Sequence, residues 1–156
     1  MGRAASDTRQ CSERGHHGSM ESSIGIPTRT KAQQAGDAAE SLVLVRLLET
    51  GWTVLARNVH VGRHELDLVA VDPGPPANLV IVEVRWRASR GFGLGEETVD
   101  HRKRARLRLA AYGLLDRGEL PDGARLPRMP IRFDLVVVEP GEGGGAPRIR
   151  HHRAAF

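Results

Sequence analysis

Leu79-Val80-Ile81-Val82-Glu83-Val84-Arg85-Trp86-Arg87 is the stretch on which the fold turns. Its first half is an unbroken apolar run, too short for a full helix and rich in β-branched residues, the pattern of a strand buried on both faces. Glu83 and Arg85 interrupt that run. Side chains alternate across a strand, so the two share one face. A carboxylate in a buried strand is costly unless something binds it, and this cost marks the first candidate for chemistry.

Outward from this strand the chain switches repeatedly between helical and strand periods. Residues 1–29 are rich in Ser, Gly, Arg and His without periodicity and are expected to form a disordered arm. A histidine pair alone in such a tail, His16-His17, is assigned no metal. Residues 30–140 carry the domain, and 141–156 a flexible turn with a basic segment. Thr30 and Gln33 fit a capping box. Ala35, Ala38, Ala39, Leu42, Val45 and Leu48 then recur at roughly helical spacing up to a stop at Gly51. Residues 52–57 predict a first strand, 59–62 a turn and 65–71 a second strand. Simple alternation puts Leu66, Leu68 and Ala70 on one side of that second strand and Glu65, Asp67 and Val69 on the other. Short turns between the first three strands predict an antiparallel meander.

After Arg87 a Gly-rich loop spans 89–95, and Glu96 and Glu97 suit the start of a second helix. That helix is expected to run to Arg117, with Val99, Lys103, Leu107, Ala110, Ala111, Leu114 and Leu115 on its inner row. A lysine thus interrupts an apolar stripe. Residues 132–139 predict a fourth strand that follows a helix and so joins the sheet in parallel. Residues 148–153 are either a short edge strand or a basic tail. The order α-β-β-β-α-β is that of an α/β sandwich around a mixed sheet.

Composition narrows the function classes. Hydrophobic residues make up 40% and charged residues 27% of 156, ordinary for one globular domain. The net charge of +4 favours anionic partners. The lone Cys11 allows no internal disulfide, and no apolar stretch has membrane-spanning length, so the expectation is a cytoplasmic protein without a membrane partner. Of 23 basic residues only Lys31 and Lys103 are lysines, the mark of a GC-rich coding sequence. Keeping one of the two on the inner row of a helix suggests a need for ammonium geometry at Lys103, set against a lysine that merely snorkels at the core edge.

If the second and third strands pair, Glu65, Asp67, Glu83 and Arg85 can meet on one face. Two carboxylates in a partly dry site repel, and a divalent cation removes the conflict. Mg²⁺ or Mn²⁺ takes one or two protein carboxylates, water and substrate phosphate oxygens. It can activate a water, while a fixed cation beside it stabilises charge developing on phosphorus. Glu40 lies at the edge of the first helix's buried face, either engaged with this site or reaching water.

Several stretches in order resemble one family. They are Gly36-Asp37-Ala38-Ala39-Glu40, Leu55-Ala56-Arg57-Asn58, Glu65-Leu66-Asp67-Leu68-Val69, Val82-Glu83-Val84-Arg85, Phe92-Gly93, Glu97-Thr98-Val99 with Lys103, and Arg132-Phe133-Asp134-Leu135-Val136. Together they resemble the YraN-like family of bacterial predicted endonucleases, uncharacterised protein family 0102. The resemblance implies a restriction-endonuclease-like fold of the PD-(D/E)xK class, distantly similar to archaeal Holliday-junction resolvases. It places Glu40, Asp67 and Glu83 at the acidic, metal-binding positions and Arg85 at the basic one. His64 departs from the family's usual glycine, and Arg85 from the lysine of the wider class. An arginine stays protonated; it can stabilise charge but not act as a general base.

Arg102, Lys103, Arg104, Arg106 and Arg108 crowd one segment behind His101. Like charges this close destabilise an isolated helix, and phosphates would relieve them. Arg87 and Arg90 flank the Gly-rich loop and could hold a strand across the site. Aromatic residues are 4% of the chain, which disfavours a base-stacking platform for single strands. The expectation is a Mg²⁺- or Mn²⁺-dependent endonuclease acting on DNA, including branched or structured DNA. Its alternative is a non-catalytic nucleic-acid-binding module on the same scaffold. A homodimer is left open.

Overall fold

The computed structural model describes residues 29–88 and 100–156. The N-terminal arm up to residue 28, the Gly-rich loop with Arg90, and Glu96, Glu97 and Val99 lie outside the described residues. In chain order the elements are α1 (Lys31–Glu49), β1 (Thr53–Val61), β2 (His64–Asp72), β3 (Asn78–Trp86), α2 (His101–Arg117), β4 (Ile131–Glu139) and β5 (Arg148–His152). A 3-10 turn, Glu142–Gly144, precedes β5.

The five strands form one mixed sheet in the order β1-β2-β3-β4-β5. The first three strands make the expected antiparallel meander, and β4 joins β3 in parallel. Residues 148–152 form an edge strand antiparallel to β4, which decides between the two readings of that segment. A helical crossover separates β3 from β4, as a parallel pair requires. The strand β3 is therefore central, with buried neighbours on both sides.

One helix covers each face. Val59, Leu66, Val69, Leu79, Ile81, Phe133, Leu135 and Val137 pack against Leu107, Ala110, Ala111 and Leu114 of α2. On the other face Trp52, Leu68, Ala70, Val80, Val82, Val84 and Val136 pack against Ala39, Val43 and Leu47 of α1. The helix α2 sits so close to β1 that a Cβ at Gly113 would come within 2.9 Å of the Val61 side chain. Nothing larger fits there without a shift.

The helix ends follow their local chemistry. Thr30 and Gln33 make the expected capping box at the start of α1. Gly51, at φ 85°, takes the left-handed turn after its end. The buried row of α1 differs from expectation. It is Ala39, Val43 and Leu47, a clean i, i+4 series, while Val45 and Leu48 are each 51% exposed. An apolar residue on the flank of a stripe can stay in water when the sheet beneath curves away. Two boundaries also shift. Residues 59–61 continue β1, and the turn is only Gly62-Arg63. The second helix begins at His101, because extended Asp100 accepts the Lys103 N–H at 2.7 Å as its N-cap.

At the end of the sheet where β4 begins, a charged network ties the chain terminus down. Fully buried Asp134 accepts from Arg132 at 2.8 and 2.9 Å, contacts His151 Nε2 at 2.8 Å, and accepts from the Ala154 N–H at 3.0 Å. Arg132 also donates to Asp72 at 2.8 Å and lies over the Trp52 ring. Burial alone would raise the Asp134 carboxyl; His151, Arg132 and the Ala154 N–H outweigh it and hold it at about 2. Removing one member leaves buried charges without partners. Asp134→Ala is expected to cost about 3–5 kcal/mol in denaturant unfolding. A loss below about 1 kcal/mol would mean that the network is idle.

Candidate active site at the parting of two strands

The strands β2 and β3 stay paired only as far as Leu68 opposite Val82. Beyond that rung the ladder opens, and a side chain takes over. Asp67 Oδ2 accepts the Val84 N–H at 2.7 Å, so the carboxylate satisfies an amide that the parted backbone no longer reaches. Simple alternation along β2 fails here. Leu66 packs with the α2 cluster, whereas Leu68 and Ala70 pack with the α1 cluster. The strand turns over at Asp67, and that residue points across the gap instead of standing on one face.

Glu83 comes to the same place from β3. Its neighbours Leu79 and Ile81 face α2, so alternation puts Glu83 on that side too, and it is only 1% exposed. A carboxylate this deep needs cationic partners. Lys103 Nζ donates to its Oε1, and Arg85 Nε lies 3.3 Å from the same atom. Glu83 and Arg85 thus share a face, and Lys103 turns inward from α2 to meet them. Arg85 Nε is buried without a hydrogen-bond partner, so its contribution to Glu83 is charge more than a well-aimed bond.

The carboxylates feel one another. Burial first, then the Glu83 charge, pushes the Asp67 carboxyl up to about 7, with Glu40 adding in the same sense. Glu40, half-buried on α1, is raised by burial and by Asp37, Glu65 and Glu83. Glu40, Asp67 and Glu83 therefore occupy one electrostatic neighbourhood. Among the described residues, no three His, Cys, Asp or Glu side chains are arranged to hold a metal ion. The donor set nevertheless suits a hard divalent cation bound through two carboxylates and water. Asp67 Oδ2 and Glu83 Oε1 are engaged, which leaves Oδ1 and Oε2 as the oxygens to offer.

Beside Glu83 opens a cleft of about 310 Å³ lined by Arg63, His64, Glu65, Arg85, Lys103 and Arg106. Arg63, in the β1–β2 turn, and His64, the first residue of β2, are absent from the sequence-based candidates. Only the hairpin brings them opposite α2. The basic run of α2 does not form a single patch. At about 100° per residue, Arg102 and Arg106 fall on one flank of the buried row and Arg104 and Arg108 on the other. Arg102, Arg106 and Arg108 are exposed, Arg104 and Arg87 half-buried. The run occupies the first turns of α2, where the helix dipole disfavours cations. An anion in the cleft would relieve that conflict.

The raised Asp67 carboxyl gives a pH signature. In the folded, metal-free protein Asp67 holds a proton up to about pH 7, whereas an unfolded Asp releases it near its model value of 3.8. Between those values the native state binds more protons, so stability falls as pH rises. Asp67→Asn is expected to flatten this slope and stabilise the metal-free protein at pH 8, by about 1.4 kcal/mol per pKa unit at most. Urea midpoints from pH 4.5 to 8 check it; parallel curves for the two proteins would disprove it.

A UPF0102 protein of Pseudomonas paraeruginosa is 37% identical over 128 residues, which is 82% of this chain and 96% of that protein. One of Bordetella petrii is 41% identical over 78% of this chain and 72% of its own length, and one of Symbiobacterium thermophilum 39% identical over 72% and 88%. The profile of the uncharacterised protein family UPF0102 matches residues 39–138, a span that holds Glu40, Asp67, Glu83, Arg85 and Lys103, and the chain belongs to that family.

Proposed function

We propose that this protein is a Mg²⁺- or Mn²⁺-dependent nuclease that hydrolyses phosphodiester bonds of DNA on a restriction-endonuclease-like core. The observation that carries the proposal is the meeting of Asp67 and Glu83 where β2 and β3 part, next to a cationic cleft. Asp67 and Glu83 would hold the ion, with Glu40 assisting directly or through water. When bound, it supplies an activated water and neutralises charge on the phosphate oxygens.

The chain's own side chains do the rest. Arg63, Arg106 and Lys103 bind the strand's phosphates in the cleft. Lys103 Nζ, fixed against Glu83, stabilises the charge that grows on the phosphoryl oxygens as water adds to phosphorus and the P–O bond breaks. Arg85 supports the same charge but cannot take a proton. Aromatic scarcity points to recognition of backbone and shape, as in duplex or branched DNA. One observation favours the alternative of a binding module without catalysis: Glu83 is already paired with two cations.

Purified protein with Mn²⁺ is expected to cleave linear or branched DNA. Asp67→Asn should fall to background and Lys103→Ala lose about 100-fold. Mn²⁺ should raise the melting temperature of the native protein but not of Asp67→Asn. Equal cleavage by native protein and Asp67→Asn removes Asp67 from catalysis. Metal-independent DNA binding with no cleavage establishes the alternative.

Arg63→Ala and Arg106→Ala test the cleft separately. Each is expected to weaken duplex binding at all sequences alike and to lower the salt slope of log K by about 1. An unchanged slope in both would place the DNA elsewhere.

A further inference from the structure

Asp67 reaches Val84 only because β2 turns over, and β1 turns over with it. Arg57 pairs with Leu68 and Val59 with Leu66, which puts Asn58 directly opposite Asp67. The pairing keeps the same register on both sides of this rung, so no residue is inserted and neither strand bulges there. Yet both strands change faces. Ala56 and Val59, three residues apart and so on opposite faces of a regular strand, both pack with the α2 cluster. Across the rung, Leu68 belongs to the α1 cluster and Leu66 to the α2 cluster. The pivot on β1 is Asn58, exposed and at φ 49°, the left-handed region.

We propose that Asn58 is a positioning residue for the acidic site. Its left-handed backbone turns β1 over, and the facing turn in β2 delivers the Asp67 carboxylate to the Val84 amide. Regular strands would leave Asp67 on the same face as Val69 and break its bridge to β3. They would also put Val59 and Leu66 on the α1 side, away from the α2 cluster that buries them. Few residue types hold a left-handed position at little cost. Glycine does so freely and asparagine nearly so, because its short polar side chain bonds locally; alanine is strained and a β-branched residue more so. The exposed side chain of Asn58 is thus set by the backbone it must permit. The inference rests on the nuclease reading only for its effect on catalysis, since the geometry concerns the metal-free protein.

The experiment follows the Val84 amide in the metal-free, ¹⁵N-labelled chain by its proton shift and hydrogen-exchange protection. Asn58→Gly is expected to keep both. Asn58→Ala should lower Val84 protection about tenfold while the rest of β3 is unchanged, and Asn58→Val should lower it further. Asp67→Asn, which keeps the side-chain shape, serves to mark the shift that the carboxylate causes. A Val84 amide untouched in Asn58→Ala overturns the proposal. So does its loss in Asn58→Gly, or a protection loss in Asn58→Ala spread evenly over β3. The amide readout needs neither metal nor DNA, so a lost nuclease reading would leave the positioning role standing.

Discussion

The burial of one carboxylate governs this molecule. Glu83 sits in the central strand at 1% exposure, where an unpaired charge would cost several kcal/mol. Two cations answer it, and both carry structural consequences. Lys103 ties the first turn of α2 to β3, and Arg85 extends the charge along the same strand. With α2 held at that angle, Leu107, Ala110 and Leu114 fall onto the sheet. The site and the packing of one whole face are therefore coupled through a single ion cluster.

Around Glu83 the second acid is placed by a different device. Asp67 owes its position to the opening of the β2–β3 ladder and to the reversal of faces across the β1–β2 rung. Parted strands expose amides that need acceptors, and a side-chain carboxylate is one of the few groups that can bridge the gap. The same hydrogen bond that holds Asp67 lowers its affinity for a proton, while burial and Glu83 act more strongly the other way. A group left near neutrality is one that can change charge as its surroundings change.

Much of this was legible in the residues. The unbroken run 79–82 announced a buried strand, short turns announced the meander, and a lysine on an apolar helical row singled out Lys103, which the fold then sets against Glu83. Period-two reasoning failed at Asp67, because a strand that turns over mid-length has no signature in alternation. Asn58 was the only local clue, and a lone asparagine in a strand is ambiguous until its φ is known. Arg63 and His64 were missed for another reason: residues at the tip of a hairpin acquire neighbours only when it closes. The helix row Ala39, Val43 and Leu47 was misplaced by one flank, since alanines and leucines on both sides of α1 gave two overlapping stripes. The network of Asp72, Arg132, Asp134 and His151 joins three strands, β2, β4 and β5, and was beyond any local pattern.

The irregularities of β1 also bear on how the sheet meets other chains. It is an outer strand, and two such strands flank an interior of Val, Ile and Leu that would template fibrillar growth if extended. A register break at Leu55 and the left-handed kink at Asn58 spoil its row of free amides and carbonyls for straight addition. On the far side β5 is only five residues long and carries Arg148 and Arg150. Both rims therefore discourage a sixth strand, and a kink that serves the acidic centre doubles as protection against self-association.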